Sequence, residues 1–220
     1  MINCIGSRVG LGFVGGGGRD KREWVILAGL AALAGCGVER VGEAVRYRPE
    51  ASDPINVVMP PDATFISQQF LVSRATEDRH EGIDLWGARS TPVLAAAPGV
   101  VVASWKGPLY GNRVRIDHGR DENGLRIFTR YFHLESRSVQ VGDRVARGAG
   151  IGRMGATGLL AGGGVHLHFE VWRGAREGDL VPVDPHLFWA NGIGQVTCFD
   201  PGVDYADDRF VTIYPTACGG

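Results

Sequence analysis

The sequence predicts a mainly antiparallel β fold, a curved sheet or open barrel with loops over one face. Three observations point there. Short apolar runs recur at close spacing with turn clusters between them, no long stretch carries helical periodicity, and Gly 34 in 220 residues favours a turn-rich β protein over a helical bundle. A chain that is 44% hydrophobic and 21% charged suits one domain with a real core plus extensions. The net charge of -1 gives no electrostatic footprint for nucleic acid. No internal repeat of solenoid or propeller period is present.

From the N-terminus, residues 1–36 read as an export signal. Lys21 and Arg22 precede an apolar run from Trp24 to Ala34, too short to span a bilayer but suited to a signal peptide. The run ends in Leu33-Ala34-Gly35-Cys36, which resembles the lipobox of bacterial lipoproteins. That resemblance makes Cys36 the expected site of lipidation and the membrane anchor. Gly37, with no aspartate after the cysteine, resembles outer-membrane sorting in bacteria with two membranes. Glu23 in the basic flank departs from such signals, as do the first twenty residues with their Gly15 to Gly18 run. A start codon assigned upstream of the true one would account for the length and the glycines.

Residues 37–62 read as a tether, mixing charges with Pro49, Pro54, Pro60 and Pro61 and showing no sustained apolar period. Fully extended, it would reach on the order of 80–90 Å. The domain is expected over 63–190, with strands near 92–96, 100–105, 113–117 and 127–134. Turn clusters separate them at Lys106-Gly107-Pro108, Tyr110-Gly111-Asn112 and 121–124. Residues 191–220 form an expected appendix. Its Cys198 and Cys218 are left over after the lipid cysteine, and in an exported protein they read as a disulfide.

The strictest pattern in the chain is Val165 to Val171. Val165, Leu167, Phe169 and Val171 are apolar, and His166, His168 and Glu170 are polar, the period of a strand with one face in the core. Residues i and i+2 of a strand share a side, roughly 6.5–7 Å apart, so the two imidazoles converge on one spot. His80-Glu-Gly-Ile-Asp84 adds a histidine and a carboxylate. In a regular strand they would lie roughly 13 Å apart, so the chain is expected to bend at Gly82 and bring both to one ion. His133, in Tyr131-Phe-His-Leu134, adds one more imidazole at a strand end. Together these give three nitrogen or oxygen ligands plus two spare imidazoles, the inventory of a catalytic zinc site with an open position.

Five motifs in this order resemble the lysostaphin/LytM-type zinc metallopeptidases. They are His80-x-x-x-Asp84, Tyr110-Gly-Asn112 before Ile116-Asp-His-Gly119, Tyr131-x-His-Leu134, Val141-Gly-Asp-x-Val145-x-x-Gly148 and His166-Leu-His-Phe-Glu170. The resemblance runs from about Phe65 to Trp189. It implies a twisted antiparallel sheet, of the duplicated-hybrid-motif type, whose groove holds a peptide. It also implies one zinc on His80, Asp84 and His168, with His133 and His166 as catalytic histidines. The expected activity is zinc-dependent hydrolysis of amide bonds in peptidoglycan stem peptides or cross-bridges. The runner-up is a non-catalytic LytM-type regulator that activates a cell-wall amidase; such regulators usually lack zinc ligands. The expected location is exported, lipid-anchored on the periplasmic face.

Two departures touch substrate detail. Thr157-Gly-Leu-Leu-Ala-Gly-Gly-Gly-Val165 is about two residues longer than the family's loop before the double histidine, and lacks its serine and proline. Phe70-Leu-Val-Ser-Arg74 only loosely resembles the family's Phe-Gly-x-Arg, and Arg74 reads equally as a substrate contact and as a surface arginine. Asn112 is a further candidate substrate contact. Gly150-Ile-Gly-Arg-Met-Gly155 fits a dinucleotide pattern, but no strand–helix–strand unit surrounds it, so its glycines read as turn residues. His118 reads as a turn residue and His186 as a satisfied surface or core histidine. Glu170 shares the face of the two histidines, and a solvated strand charge is favoured over a support for the ligands.

Overall fold

The computed structural model describes residues 55–72, 79–205 and 208–219. Cys36, Arg74, the expected signal and most of the expected tether lie outside the described residues. In chain order the strands are β1 (Ile66–Gln68), β2 (Leu71–Val72), β3 (Arg79–His80), β4 (Ile83–Trp86), β5 (Pro92–Leu94), β6 (Gly99–Gly107) and β7 (Gly111–Arg120). They continue as β8 (Arg126–Leu134), β9 (Ser136–Arg137), β10 (Arg144–Val145), β11 (Gly150–Arg153), β12 (His166–Gly174) and β13 (Val181–Val183). Among the described residues, helical structure is confined to 3-10 turns at Leu159–Ala161, Glu177–Asp179 and Pro185–Leu187.

The fold is mainly antiparallel β. The large sheet runs β1-β4-β12-β8-β7-β6-β10, and β13 shares an edge of β12 with β4. A smaller sheet, β5-β11-β9, packs its Val93 and Ile151 into the same core as Ile83, Leu85, Val114, Ile116, Tyr131, Leu167 and Phe169 of the large one. Alternation explains the division of faces. Leu167, Phe169 and Val171 of β12 are fully buried, whereas His166 and His168 lie on the opposite face. Inside the core, the Tyr131 hydroxyl accepts the Ala96 N–H at 2.9 Å and lies 3.1 Å from the Thr129 hydroxyl, so its polar end is satisfied where it is buried.

Both ends of the domain extend further than the sequence suggests. The segment around Val58, expected in the tether, bridges Gln195, with Val58 N–H on the Gly194 carbonyl at 2.8 Å. Val57 and Met59 pack against the core. The expected appendix is part of the core too: Val196, Ile213 and Tyr214 are buried, and Thr216 bridges Val93. These segments pair through single bridges instead of ladders, so neither shows a strand-length period. The Cys198–Cys218 disulfide closes the C-terminal segment. In the chain-entropy model such a loop contributes about 3 kcal/mol, and here it secures core residues.

Two smaller expectations are corrected. The glycines of 150–153 form strand β11, not a turn, and a Cβ on Gly152 would meet the Ser136 carbonyl at 2.5 Å. His118 lies within β7, with Nδ1 2.7 Å from the Pro98 carbonyl and Nε2 2.8 Å from the Thr129 hydroxyl. His186 is a satisfied core histidine. Trp189 Nε1–H donates to its Nδ1 at 2.9 Å, which leaves Nε2–H to donate to Gln69 Oε1 at 2.7 Å.

These two histidines give the domain a pH dependence. Burial holds both imidazoles down to about 4, against about 6.5 in an unfolded chain. Between those values the unfolded chain binds the protons and the fold does not, so stability falls as pH is lowered through that window. The urea midpoint is expected to decline steadily from pH 6.5 toward 4. A midpoint that holds or rises there would contradict neutral burial of the pair.

Candidate active site

The site is built on the open face of the large sheet where β4 meets β12. In that register His168 stands directly opposite Asp84, and His166 opposite Trp86. Ile83 and Leu85 are buried on the core side, so parity sends Asp84 outward to the face of His168. His80 arrives through a bend at Gly82. The reason is space: a Cβ on Gly82 would lie 2.2 Å from the Phe169 carbonyl oxygen. The close approach of this bend to β12 lets His80 fold over the rung instead of pointing away along the strand.

Three donor atoms converge there. His80 Nε2 is 3.2 Å from Asp84 Oδ1, His168 Nδ1 is 2.7 Å from the same oxygen, and the two nitrogens are 3.1 Å apart. Tetrahedral zinc with bonds of about 2.0–2.1 Å spans ligand–ligand edges of about 3.3 Å, close to this triangle. The three side chains are 11%, 13% and 12% exposed, shielded from bulk water yet open to the cleft. The charges fit a cation as well. Burial disfavours the ionised Asp84, but the hydrogen bonds from His168 and His80 outweigh it and hold the carboxyl well below its usual range. For His168, burial alone would lower the pKa; Asp84 and Glu170 on either side outweigh it and push it up to about 9. Such a field favours positive charge at the point where the donors meet.

The other two imidazoles face the same cleft. His166 Nε2 lies 3.9 Å from Asp84 Oδ2, and the His133 and His166 ring centres are 4.8 Å apart. His133 reaches this place by breaking parity. It shares the parity of Tyr131, which is in the core, but takes a left-handed backbone conformation with φ 62°. That conformation is costly for a non-glycine residue. It is held because the His133 N–H donates to the Tyr110 carbonyl at 3.1 Å and its own carbonyl accepts the Thr157 N–H at 3.3 Å. Burial first, then the neighbouring imidazoles, hold the His133 pKa down to about 4 in spite of the Thr157 carbonyl. His133 is therefore neutral near pH 7.

Each of the four imidazoles has one nitrogen committed to a protein oxygen. His80 Nδ1–H meets the Gln69 carbonyl at 2.8 Å, and His168 Nε2–H meets Glu170 Oε1 at 3.0 Å. His133 Nδ1–H meets the Thr157 carbonyl at 3.0 Å, and His166 Nδ1–H meets the Gly164 carbonyl at 3.1 Å. The remaining nitrogen of each ring is turned toward the cleft, and those of His80 and His168 meet Asp84, where a bound cation would take the place of their protons. Glu170 is thus a buried support, 3% exposed, not a solvated strand charge. Trp172 Nε1–H also donates to it, and Arg130 lies 3.5 Å from its Oε2. Parity placed Glu170 on the right face; what sequence reasoning missed is the cover that Trp172 and Arg130 provide. Gln69 was also missed, since a backbone carbonyl leaves no trace in residue type.

The cleft has a volume of about 410 Å³, and Tyr110 and Leu160 line it beside the histidines. Leu160 belongs to the long loop before β12, which is pinned to the β6–β7 turn by Leu159 N–H on the Pro108 carbonyl and Leu160 N–H on the Leu109 carbonyl. Asn112 does not line the cleft. Its side-chain amide donates to the Leu134 and Glu135 carbonyls, both at 3.0 Å, and so fixes the end of β8 next to His133.

Residues 78–185 match the sequence profile of peptidase family M23. This segment is an M23 domain. The chain is 40% identical over 91 residues to peptidoglycan DD-endopeptidase ShyC of Vibrio cholerae, an alignment covering 41% of this chain and 19% of that protein. It is 34% identical over 119 residues to the cell division protein DipM of Caulobacter vibrioides, covering 52% of this chain and 18% of the relative. The chain therefore spans about a fifth of the length of these curated relatives. Among solved structures, a zinc containing peptidase from Vibrio cholerae is similar at 32% identity and a TM-score of 0.46, covering 59% of this chain and 38% of that one.

All five converging side chains lie inside the M23 domain, and so does Glu170. Its carboxylate both orients His168 and supplies negative charge beside the three donors. Glu170→Gln keeps the shape and removes the charge, and is expected to weaken metal retention about 10- to 100-fold. Competition against a chelator would measure it. Unchanged retention would mean that Glu170 serves only to satisfy Trp172 and Arg130.

Proposed function

We propose that this M23 domain is a zinc endopeptidase that hydrolyses amide bonds in the stem peptides or cross-bridges of peptidoglycan. The observation that carries this reading is the triangle of His80, Asp84 and His168, with two more imidazoles turned toward it across one cleft. A regulator that only binds has no need of five such groups. The names of the relatives, peptidoglycan endopeptidases among them, support the choice of substrate.

His80, Asp84 and His168 would hold the ion. When bound, zinc would supply the Lewis acidity that polarises a peptide carbonyl and activates water near neutral pH. His133, neutral and with Nδ1 committed to Thr157, offers Nε2 to take a proton from the attacking water. His166, on the other side of the cleft, is placed to hydrogen-bond the developing oxyanion and assist departure of the amine. Neither Gly164 nor Thr157 can release its hold without turning a ring out of line, so both imidazoles are oriented before substrate arrives. Among the described residues no serine, threonine or cysteine lines the cleft, so an acyl-enzyme is not expected.

The same reading includes export and a lipid anchor at Cys36, supported by the apolar run and its Leu-Ala-Gly-Cys end. A tether of the kind read in the sequence would let an anchored domain reach a polymer away from the membrane. Unmodified Cys36 in intact-mass analysis of protein from its native host would remove that part and leave the catalytic reading untouched.

The catalytic test is digestion of purified sacculi followed by mass spectrometry of the muropeptides. Cross-linked dimers are expected to convert to monomers, with loss of activity in a chelator and recovery with zinc. His80→Ala, Asp84→Ala and His168→Ala are each expected to abolish zinc retention. His133→Ala and His166→Ala should keep the metal and lower turnover about 100- to 10,000-fold. If zinc-loaded protein leaves every muropeptide intact yet stimulates a cell-wall amidase, the non-catalytic regulator is the correct reading.

A further inference from the structure

The open face of the large sheet continues past the cleft, and it is lined with arginines lying on aromatic rings. Glu170 of β12 stands opposite Arg130 of β8, and Arg130 opposite Arg115 of β7, so this rung lies on the face that carries His168. Arg113 follows two residues along β7 toward the cleft. Its guanidinium sits 3.5 Å from the centre of the Trp105 ring and 5.7 Å from that of Tyr110. Arg115 lies 4.0 Å over Phe128, and Arg130 3.8 Å over Trp172. Stacking of this kind holds the guanidinium plane flat and leaves its hydrogen-bonding edge free.

The charges on this face are not evenly answered. Arg130 has Glu170 at 3.5 Å and Arg115 has Glu177 at 3.1 Å. Arg113 has no carboxylate partner among the described residues, and its buried Nε–H has no acceptor there. A planar cation stacked on a ring and without a carboxylate partner among the described residues is matched by a carboxylate, which accepts two parallel hydrogen bonds from the outer edge of the guanidinium. Tyr110 connects this spot to the catalytic cleft: it lines the cleft, and its ring stacks toward His133. β7 is two strands from β12, a separation of about 10 Å, which an extended peptide covers in about three residues.

We propose that Arg113, laid flat on Trp105, is a subsite for a free carboxylate on the peptide substrate, about three residues from the bond that is cut. The subsite rests on the endopeptidase reading for its substrate, but it makes a separate demand on the ligand. A peptide with that carboxylate is selected over the same peptide with a carboxamide, which cannot pair its charge with Arg113.

The test uses two cross-linked muropeptides that differ only by carboxylate or carboxamide at this side group. Turnover is measured on the full zinc-loaded chain, and binding on the zinc-free chain by calorimetry. Wild type is expected to prefer the carboxylate about 10- to 100-fold, mainly in KM and in Kd, the range set by charge-assisted hydrogen bonds. Arg113→Gln should bring the ratio of the two substrates close to one, and Arg113→Lys, which keeps the charge without the fork, should restore part of it. Equal handling of the two peptides by wild type, in turnover and in binding, would overturn the subsite. So would an Arg113→Gln loss of the same size on both, which would assign Arg113 only to packing against Trp105. Carboxylate-selective binding without turnover would retain the subsite and reject the endopeptidase reading instead.

Discussion

The pairing of β12 with β4 is the constraint on which the rest of this domain depends. It sets His168 opposite Asp84 on one face and buries Leu167, Phe169 and Val171 on the other. A slip of one residue would reverse both faces at once. Exposing those three side chains would cost on the order of 5–9 kcal/mol, comparable to the whole stability of an ordinary domain. The apolar half of the strand therefore holds the polar half in register. A triangle of donor atoms with edges of 2.7–3.2 Å tolerates no such slip, and the core prevents it.

From that rung outward, the site is assembled by exceptions to regular strand geometry. His80 needs a residue without a side chain at Gly82, because the β12 backbone occupies the space a Cβ would take. His133 needs a left-handed turn at the end of β8 to leave the core side, and the carbonyl of Tyr110 and N–H of Thr157 hold it there. Two regular strands supply Asp84, His166 and His168, and two local distortions bring in His80 and His133. Strain of the kind seen at His133 persists only where surrounding hydrogen bonds over-determine it, and His133 meets that condition.

How much of this can be read in the sequence follows from the same distinction. Strict alternation made β12 legible together with its two histidines, and the spacing of His80 and Asp84 required a bend at the one glycine between them. The outer segments were not legible, because Val58 and Thr216 pair through single bridges that leave no periodic trace. Glu170 was misread for a different reason: a charge on the open face of a strand looks solvated unless Trp172 and Arg130 are known to cover it. Strand parity alone would put His133 with Tyr131 in the core; only its backbone angle explains its place. Sequence pattern reports which face a residue occupies when the strand is regular. It is silent on backbone acceptors such as Gln69 and Thr157, which any residue type can supply.

Those backbone acceptors explain how four imidazoles can share a small cleft without competing. An imidazole free at both nitrogens could present either tautomer, and a cluster of four would have many arrangements of similar energy. Here each ring has one N–H fixed by an oxygen of the fold, three of them main-chain carbonyls and the fourth the carboxylate of Glu170. The choice of a carboxylate for His168 alone has an electrostatic consequence. His168 lies between two carboxylates, Asp84 and Glu170, which favour positive charge strongly enough to overcome burial. His133, which meets only a carbonyl and sits farther from Asp84, is held neutral by the same burial. The charge states of the two imidazoles are thus separated by what stands behind each ring, within a cleft where the His133 and His168 ring centres are 6.2 Å apart.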